Sequence, residues 1–221
     1  MSLLSVTNVS AAGTSTPVQL LILLTLITVL PGVLFAVTGF TRILIVLGFV
    51  RNALGTPTTP PNQILVGIAF FLTIFVMAPT LRHVQKDAVQ PYMHHQISQK
   101  VALERAGEPL RTFMFKQTRT SDLALFVEFS HGKRPRTRAD VPSHVLIPAF
   151  IISELKTAFQ IGFLIYLPFL IIDMVVASTL TSMGMMMLPP ALISLPFKIL
   201  LFVLVDGWHL VIQSLVNSFH G

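Results

Sequence analysis

Val145 to Phe219 reads VLIPAFIISELKTAFQIGFLIYLPFLIIDMVVASTLTSMGMMMLPPALISLPFKILLFVLVDGWHLVIQSLVNSF, and only Glu154, Lys156, Asp173, Lys198 and Asp206 in it carry a charge. Nearly everything else is apolar or small, broken at Met183 to Pro190 by Met-Gly-Met-Met-Met-Leu-Pro-Pro. A proline pair stops a helix, so the two apolar runs on either side predict a helical hairpin bent at Met185 to Pro190. Four of the chain's nine methionines sit at that bend. Methionine is unbranched and polarizable, so such a cluster either fills a tight corner or forms a soft surface that deforms around what packs or passes there.

The five charges pose the physical problem. An ionised side chain at a bilayer centre costs about 2.5 to 3.5 kcal/mol on insertion scales. Either these helices face other protein, with Glu154 and Asp173 paired against Lys156 and Lys198 across helix or subunit contacts, or the helix ends lie near the interface, where lysine snorkels and acids stay wet. Glu154 and Lys156 are two residues apart and do not face each other on a helix, so each needs a partner elsewhere.

Working outward, 53% of the 221 residues are apolar, 11% are charged and the mean hydropathy is +0.77. Ordinary soluble domains carry roughly 25% charged residues, so this is a membrane or membrane-assembly protein. The absence of cysteine excludes disulfides and thiolate metal sites. The net charge of +6 is carried mainly by Arg82 to His144, with 11 Lys and Arg against 6 Asp and Glu.

Residues 1–17 read as a polar, Ser/Thr-rich tail, and no Lys or Arg occurs before Arg42, so the basic start of a secretory signal is missing. The apolar run Val18 to Val50 would be about 50 Å long if wholly helical, beyond a bilayer core of about 30 Å, and Pro31-Gly32 is its expected kink. Gln63 to Leu81 has the length of one span. Between the two, Gly55, Pro57, Pro60 and Pro61 are turn chemistry, so residues 18–81 read as a first apolar hairpin.

The polar segment 82–144 shows helical periodicity at Ile97 to Arg105 and at Pro109 to Phe129, and no alternating strand pattern. It reads as a small helical domain. Lys133-Arg134-Pro135-Arg136-Thr137-Arg138 lacks an aromatic platform and reads as a solvated loop, not a nucleic-acid site. His94 and His95 would point about 100° apart on a helix, so no metal is assigned. A Gly-rich phosphate loop, a nucleophile beside a base and a His-Glu-x-x-His pattern are all missing, which argues against an enzyme and against a cofactor. The paired broken helices of a small-solute transporter would leave an internal repeat, and none is visible.

Several uncommon motifs in order carry a resemblance: Phe40-Thr41-Arg42-Ile43, Arg51-Asn52-Ala53-Leu54-Gly55, Pro60-Pro61-Asn62-Gln63, Ser153-Glu154-Leu155-Lys156-Thr157-Ala158-Phe159-Gln160, the methionine bend and Ser194-Leu195-Pro196-Phe197-Lys198. From about Val18 to Phe219 the chain resembles the FliP family of bacterial flagellar export proteins. The injectisome relatives, the SctR family, share the plan, but Pro60-Pro61-Asn62-Gln63 and Val205-Asp206-Gly207-Trp208 resemble the flagellar branch.

The resemblance implies an all-α chain whose two long apolar hairpins, 18–81 and 145–221, flank a small helical extracytoplasmic domain. Copies would assemble as a pentamer-like ring with FliQ and FliR, and with FlhB and FlhA as further partners, through which unfolded flagellar subunits pass. It implies a pore gasket at Met185, Met186 and Met187 and an ion pair between neighbouring subunits formed by Glu154 and Lys198. Lys156, Asp173 and Asp206 are the other charges expected to be buried. Phe113, Phe115 and Phe126 either brace the pore exit or pack in a core. The implied location is the inner membrane and the flagellar basal body, crossed several times, with both bends toward the cytoplasm. Many family members begin with a cleavable signal that is not visible here, so insertion would rely on the first apolar run. Arg42 and Arg51 favour a cytoplasmic first bend, although the long basic central segment obeys the positive-inside rule poorly. The alternatives are an equivalent gate subunit of a virulence injectisome and a small-solute transporter.

Overall fold

The computed structural model describes residues 16–130, 135, 137–185 and 187–220, and the regular structure among them is helical throughout. Two units are distinguished. The first contains α1 (Thr16–Ala36), whose leucines Leu20, Leu21, Leu23 and Leu24 are all exposed. Two of its hydroxyls stay inside the helix: Thr25 and Thr28 each donate to the carbonyl four residues back, at 2.8 Å. α1 continues through Pro31-Gly32, and the chain leaves the helix at Val37–Gly39.

The second unit, Ala36–Gly221, holds the core. In α2 (Phe40–Ala53) the buried apolar residues Phe40, Ile43, Val46, Leu47, Val50 and Ala53 recur at three- and four-residue steps, one stripe of a helix. The matching stripe on α7 (Ser143–Ser182) is Val145, Leu146, Ala149, Phe150, Ala158 and Gly162, and these two helices form the main packing contact of the unit. Gly162 makes the close approach possible, since a Cβ there would lie 2.4 Å from Phe49 Cδ2.

α2 ends on Gly55, whose φ of 76° suits a residue without Cβ. The Gly55 N–H donates to the Asn52 carbonyl at 3.0 Å and the Thr56 N–H to the Arg51 carbonyl at 3.3 Å, the paired bonds of a Schellman cap. α3 (Asn62–Val84) then folds back on α2. It overruns the expected end at Leu81, continuing through a π-helical turn at Gln85–Val89 into α4 (Gln90–Met93), 32 residues in all from Asn62 to Met93. Lys, Gln and Arg are good helix formers, so a change from apolar to polar does not by itself end a helix.

The polar segment supplies α5 (Gln99–Gln117), capped by Ser98 accepting from the Val101 N–H, and α6 (Thr120–Phe129). Pro109 lies inside α5, and the chain turns at Thr118-Arg119. α5 packs on α3 and α7, and α6 packs on α7.

α7 is 40 residues long, about 60 Å, and accommodates Pro148 and Pro168 in its interior. Up to Gly162 it is built into the core; beyond that Phe169 is buried while Phe163, Leu164, Ile171, Met174 and Val175 are exposed. A second Schellman pair ends it, the Gly184 N–H donating to the Thr181 carbonyl at 3.1 Å and the Met185 N–H to the Leu180 carbonyl at 2.9 Å, with Gly184 at φ 75°. After the methionine bend come α8 (Pro190–Leu204) and α9 (Gly207–Asn217), bent by 65° about Asp206, which adopts φ 51°. By length and composition two helices, Asn62–Met93 and Ser143–Ser182, suffice to cross a membrane, or up to four if each bent pair counts as one span.

Candidate functional site

Three polar clusters and one apolar loop carry the features that the apolar stripes do not explain. The first cluster is centred on Arg42, which α2 places at 1% exposure near the start of its buried stripe. Its Nε donates to Glu154 Oε2 at 3.0 Å and its Nη2 to Glu154 Oε1 and, at 2.9 Å, to Gln117 Oε1. Nη1 donates to the Ser218 carbonyl at 2.9 Å and to Ser218 Oγ at 3.0 Å. All five guanidinium donors are therefore used, and a bidentate fork on a fully buried carboxylate is the strongest of the available geometries. The guanidinium also lies 3.9 Å from the centre of the Phe219 ring.

The second cluster pins α6 to α7 through the residue beside Glu154. Ser153 Oγ donates to Asp122 Oδ2 at 2.7 Å and accepts from the Arg119 N–H at 3.1 Å, while Arg119 Nη2 reaches Gln160 Oε1. The stretch Ser153 to Gln160 is thus a docking face: Ser153 and Gln160 hold α6, Glu154 holds α2, and Ala158 lies at 0% exposure.

The third cluster joins the two arms of the second hairpin. Lys198 Nζ sits 2.5 Å from Asp173 Oδ2, and Ser194 Oγ donates to Asp173 Oδ1 at 2.6 Å. Ser194 and Lys198 are buried, and Asp173 keeps about a third of its side chain exposed. The Gly55 turn closes over this cluster, with Leu195 Cδ1 3.5 Å and Lys198 Nζ 4.0 Å from where a Cβ on Gly55 would lie.

These geometries bear on several expectations. Glu154 and Lys198 do not wait for a neighbouring copy: each is bound inside its own chain, Glu154 by Arg42 and Lys198 by Asp173, and a carboxylate at 0% exposure with both oxygens engaged has no face to offer outward. Of the combinations open to the sequence, Asp173 with Lys198 is the one present. Lys156 and Asp206 are exposed on the single chain, the first because α7 points it away from α2 and the second because it occupies the αL break before α9. Phe113 is core, 8% exposed and packed between the rings of Phe150 (6.0 Å) and Phe219 (6.3 Å), while Phe115 and Phe126 pack partly buried against that core.

Gln117, Ser218, Asp122 and Ser194 had no assigned role in the sequence, and Arg42 had only that of orienting the first bend. Arg42 and Glu154 are 112 positions apart, a separation that no local spacing encodes. Lys133, Arg134 and Arg136 of the basic run lie outside the described residues, as does Met186. Among the described residues no group of three or more His, Cys, Asp or Glu converges as metal ligands would.

The loop between α7 and α8 is the opposite of these clusters. Met183 is 66% exposed, Met185 45% and Met187 98%, so the thioethers stand out from the chain rather than filling a corner. The loop is nevertheless anchored on both sides, by the Gly184 cap and by Pro190 in the first turn of α8.

Comparison with known proteins agrees with the motifs. The FliP family model matches residues 23–215. The flagellar biosynthetic protein FliP of Bacillus subtilis is 58% identical over 205 residues, covering 93% of this chain and 93% of the relative. FliP of Pectobacterium carotovorum is 58% identical over 204 residues, 92% of this chain and 79% of the relative. That of Aquifex aeolicus is 47% identical over 204 residues, 91% and 85%. With its membrane-length apolar helices, the chain belongs to the FliP family and is a membrane-associated component of the flagellar export apparatus.

Proposed function

We propose that this chain is a core subunit of the flagellar type III export gate, in which several copies form a ring with FliQ and FliR around a pore for unfolded flagellar subunits. FlhB and FlhA adjoin the gate, and the assembly resides in the inner membrane at the flagellar basal body, with this chain crossing several times. The observation that carries the reading is the anchored, outward-standing methionine loop: Met187 is 98% exposed, and Met185 keeps 45% of its surface open. Flexible thioethers can close around side chains of many shapes, which is what a seal on a passing unfolded polypeptide requires.

The exposed apolar faces support the same reading. Phe71 and Phe75 on α3, Phe163 and Leu164 on α7, and Phe197 and Leu200 on α8 are all more than half exposed, so the chain has extensive surface for neighbours to cover. Contacts between copies fall to these faces, since the buried charges are already paired internally. An injectisome gate subunit would share the plan, but the three relatives named above are flagellar.

Native mass measurement on the detergent-extracted chain, alone and co-expressed with FliQ and FliR, tests the proposal. The expected result is a complex holding several copies of this chain together with both partners. A stable, monodisperse single chain that ignores FliQ and FliR would overturn it.

A further inference from the structure

Beyond the gate reading, and independent of it, the residues that follow α9 are seated like a ligand. Phe219 is 8% exposed and lies in a slot formed by Gly39 and Arg42 of the α2 start and Phe113 and Gln117 of α5. Its ring stacks on Phe113 at an interplanar angle of 20° and under the Arg42 guanidinium. The slot exists because residue 39 has no side chain: a Cβ there would lie 2.6 Å from Phe219 Cζ. Two main-chain carbonyls complete the docking, Ser218 accepting from Arg42 and Phe219 accepting from Gln117 Nε2 at 3.1 Å.

We propose that Ser218-Phe219 is an intramolecular latch that sets the register of α2, α5 and α7 by completing the hydrogen-bond set of Arg42. Two of the five guanidinium donors end on Ser218. Undocking leaves those donors and the Gln117 amide without protein partners beside a buried carboxylate, and it uncovers Phe113. Unmet donors at a buried site are costly, so docking of the segment and ordering of the three helices are one equilibrium. α9 is the arm that delivers the latch, joined to α8 through the αL residue Asp206, where the chain turns by 65°.

Hydrogen exchange read by mass spectrometry on the full detergent-solubilised chain tests the coupling. Phe219→Ala alters neither α2 nor α5, yet it is expected to speed amide exchange at residues 40–46 and 113–118 by about tenfold while leaving residues 163–182 at the parent rate. Gln117→Glu retains an acceptor for Arg42 but loses the donor to the Phe219 carbonyl, and is expected to speed exchange at residues 216–220. If Phe219→Ala leaves α2 and α5 at parent rates, the segment is passive packing and the latch is wrong. Should that variant not fold, parent-like exchange at residues 216–220 in Gln117→Glu overturns the proposal equally.

Discussion

Arg42 sits at 1% exposure because every one of its N–H groups finds an acceptor, and Glu154 sits at 0% because the same fork neutralises it. Two charges taken from water recover the desolvation cost only with such geometry and with their remaining bonds satisfied, and removing one partner of a buried pair typically costs about 3 to 5 kcal/mol. Asp173 and Lys198 are a milder case, because Asp173 keeps about a third of its side chain in contact with solvent. Lys198→Glu would set two carboxylates together, and the expected loss of stability is about 1 to 3 kcal/mol. Asp173→Lys combined with Lys198→Glu should return most of that loss in thermal unfolding of the detergent-extracted chain. Glu154→Lys combined with Lys198→Glu should not, since it turns a lysine toward Arg42 and leaves Asp173 facing an acid. Recovery in the second pair and none in the first would show that the pairing runs between Glu154 and Lys198 after all.

At the scale of elements, α7 is one helix in two settings, locked against α2 and α6 up to Gly162 and, beyond it, packed on α8 by one face with the other exposed. Gly162 is the hinge of that difference, because Phe49 stacks edge-on with Phe159, 5.2 Å between centroids, across the gap a side chain would fill. Gly162→Ala gains up to about 1 kcal/mol of helix propensity but forces an overpacking cost of about 1 to 3 kcal/mol. The expected outcome is a lowered melting temperature, relieved by Phe49→Leu in the same chain. Gly67→Ala in α3, where nothing lies within 4 Å, should raise it. A parent-like melt for Gly162→Ala would mean that α2 and α7 are not held at this distance. The existence and type of these elements were legible in the sequence, since long apolar runs separated by Pro and Gly leave few alternatives to helices. Their ends were not: α1 passes Pro31, α3 passes Leu81 and α5 passes Pro109, whereas the break at Val37–Gly39 coincides with the seat of a ring 180 positions away. Break points fixed by tertiary contacts leave no local trace. The same holds for the polar clusters, whose acids were visible while the partners that decide their role were not.

For the whole molecule the decisive contrast is between charges satisfied inside the chain and apolar surface left outside it. A bilayer covers about 30 Å of hydrocarbon, roughly half the length of α7, so lipid alone does not account for an apolar helix of 40 residues. On the gate reading proposed above, neighbouring copies cover part of that surface, and the methionine loop lies where they meet. The loop itself was readable from the sequence, because four methionines beside a proline pair are both soft and unable to continue a helix. Replacing Met185, Met186 and Met187 together with alanine removes the thioether bulk but leaves the Gly184 cap, the Asp173–Lys198 pair and the exposed faces of α3 and α7 in place. Assembly with FliQ and FliR, read by native mass, should therefore be unchanged, while ion flux through the complex reconstituted in liposomes should rise several-fold. Leucine at the three positions conserves volume but branches at Cγ, and its flux should fall between parent and the alanine variant, because a stiffer side chain closes a gap less completely. Equal flux in all three assembled complexes would take the seal away from this loop and place the constriction on another part of the ring.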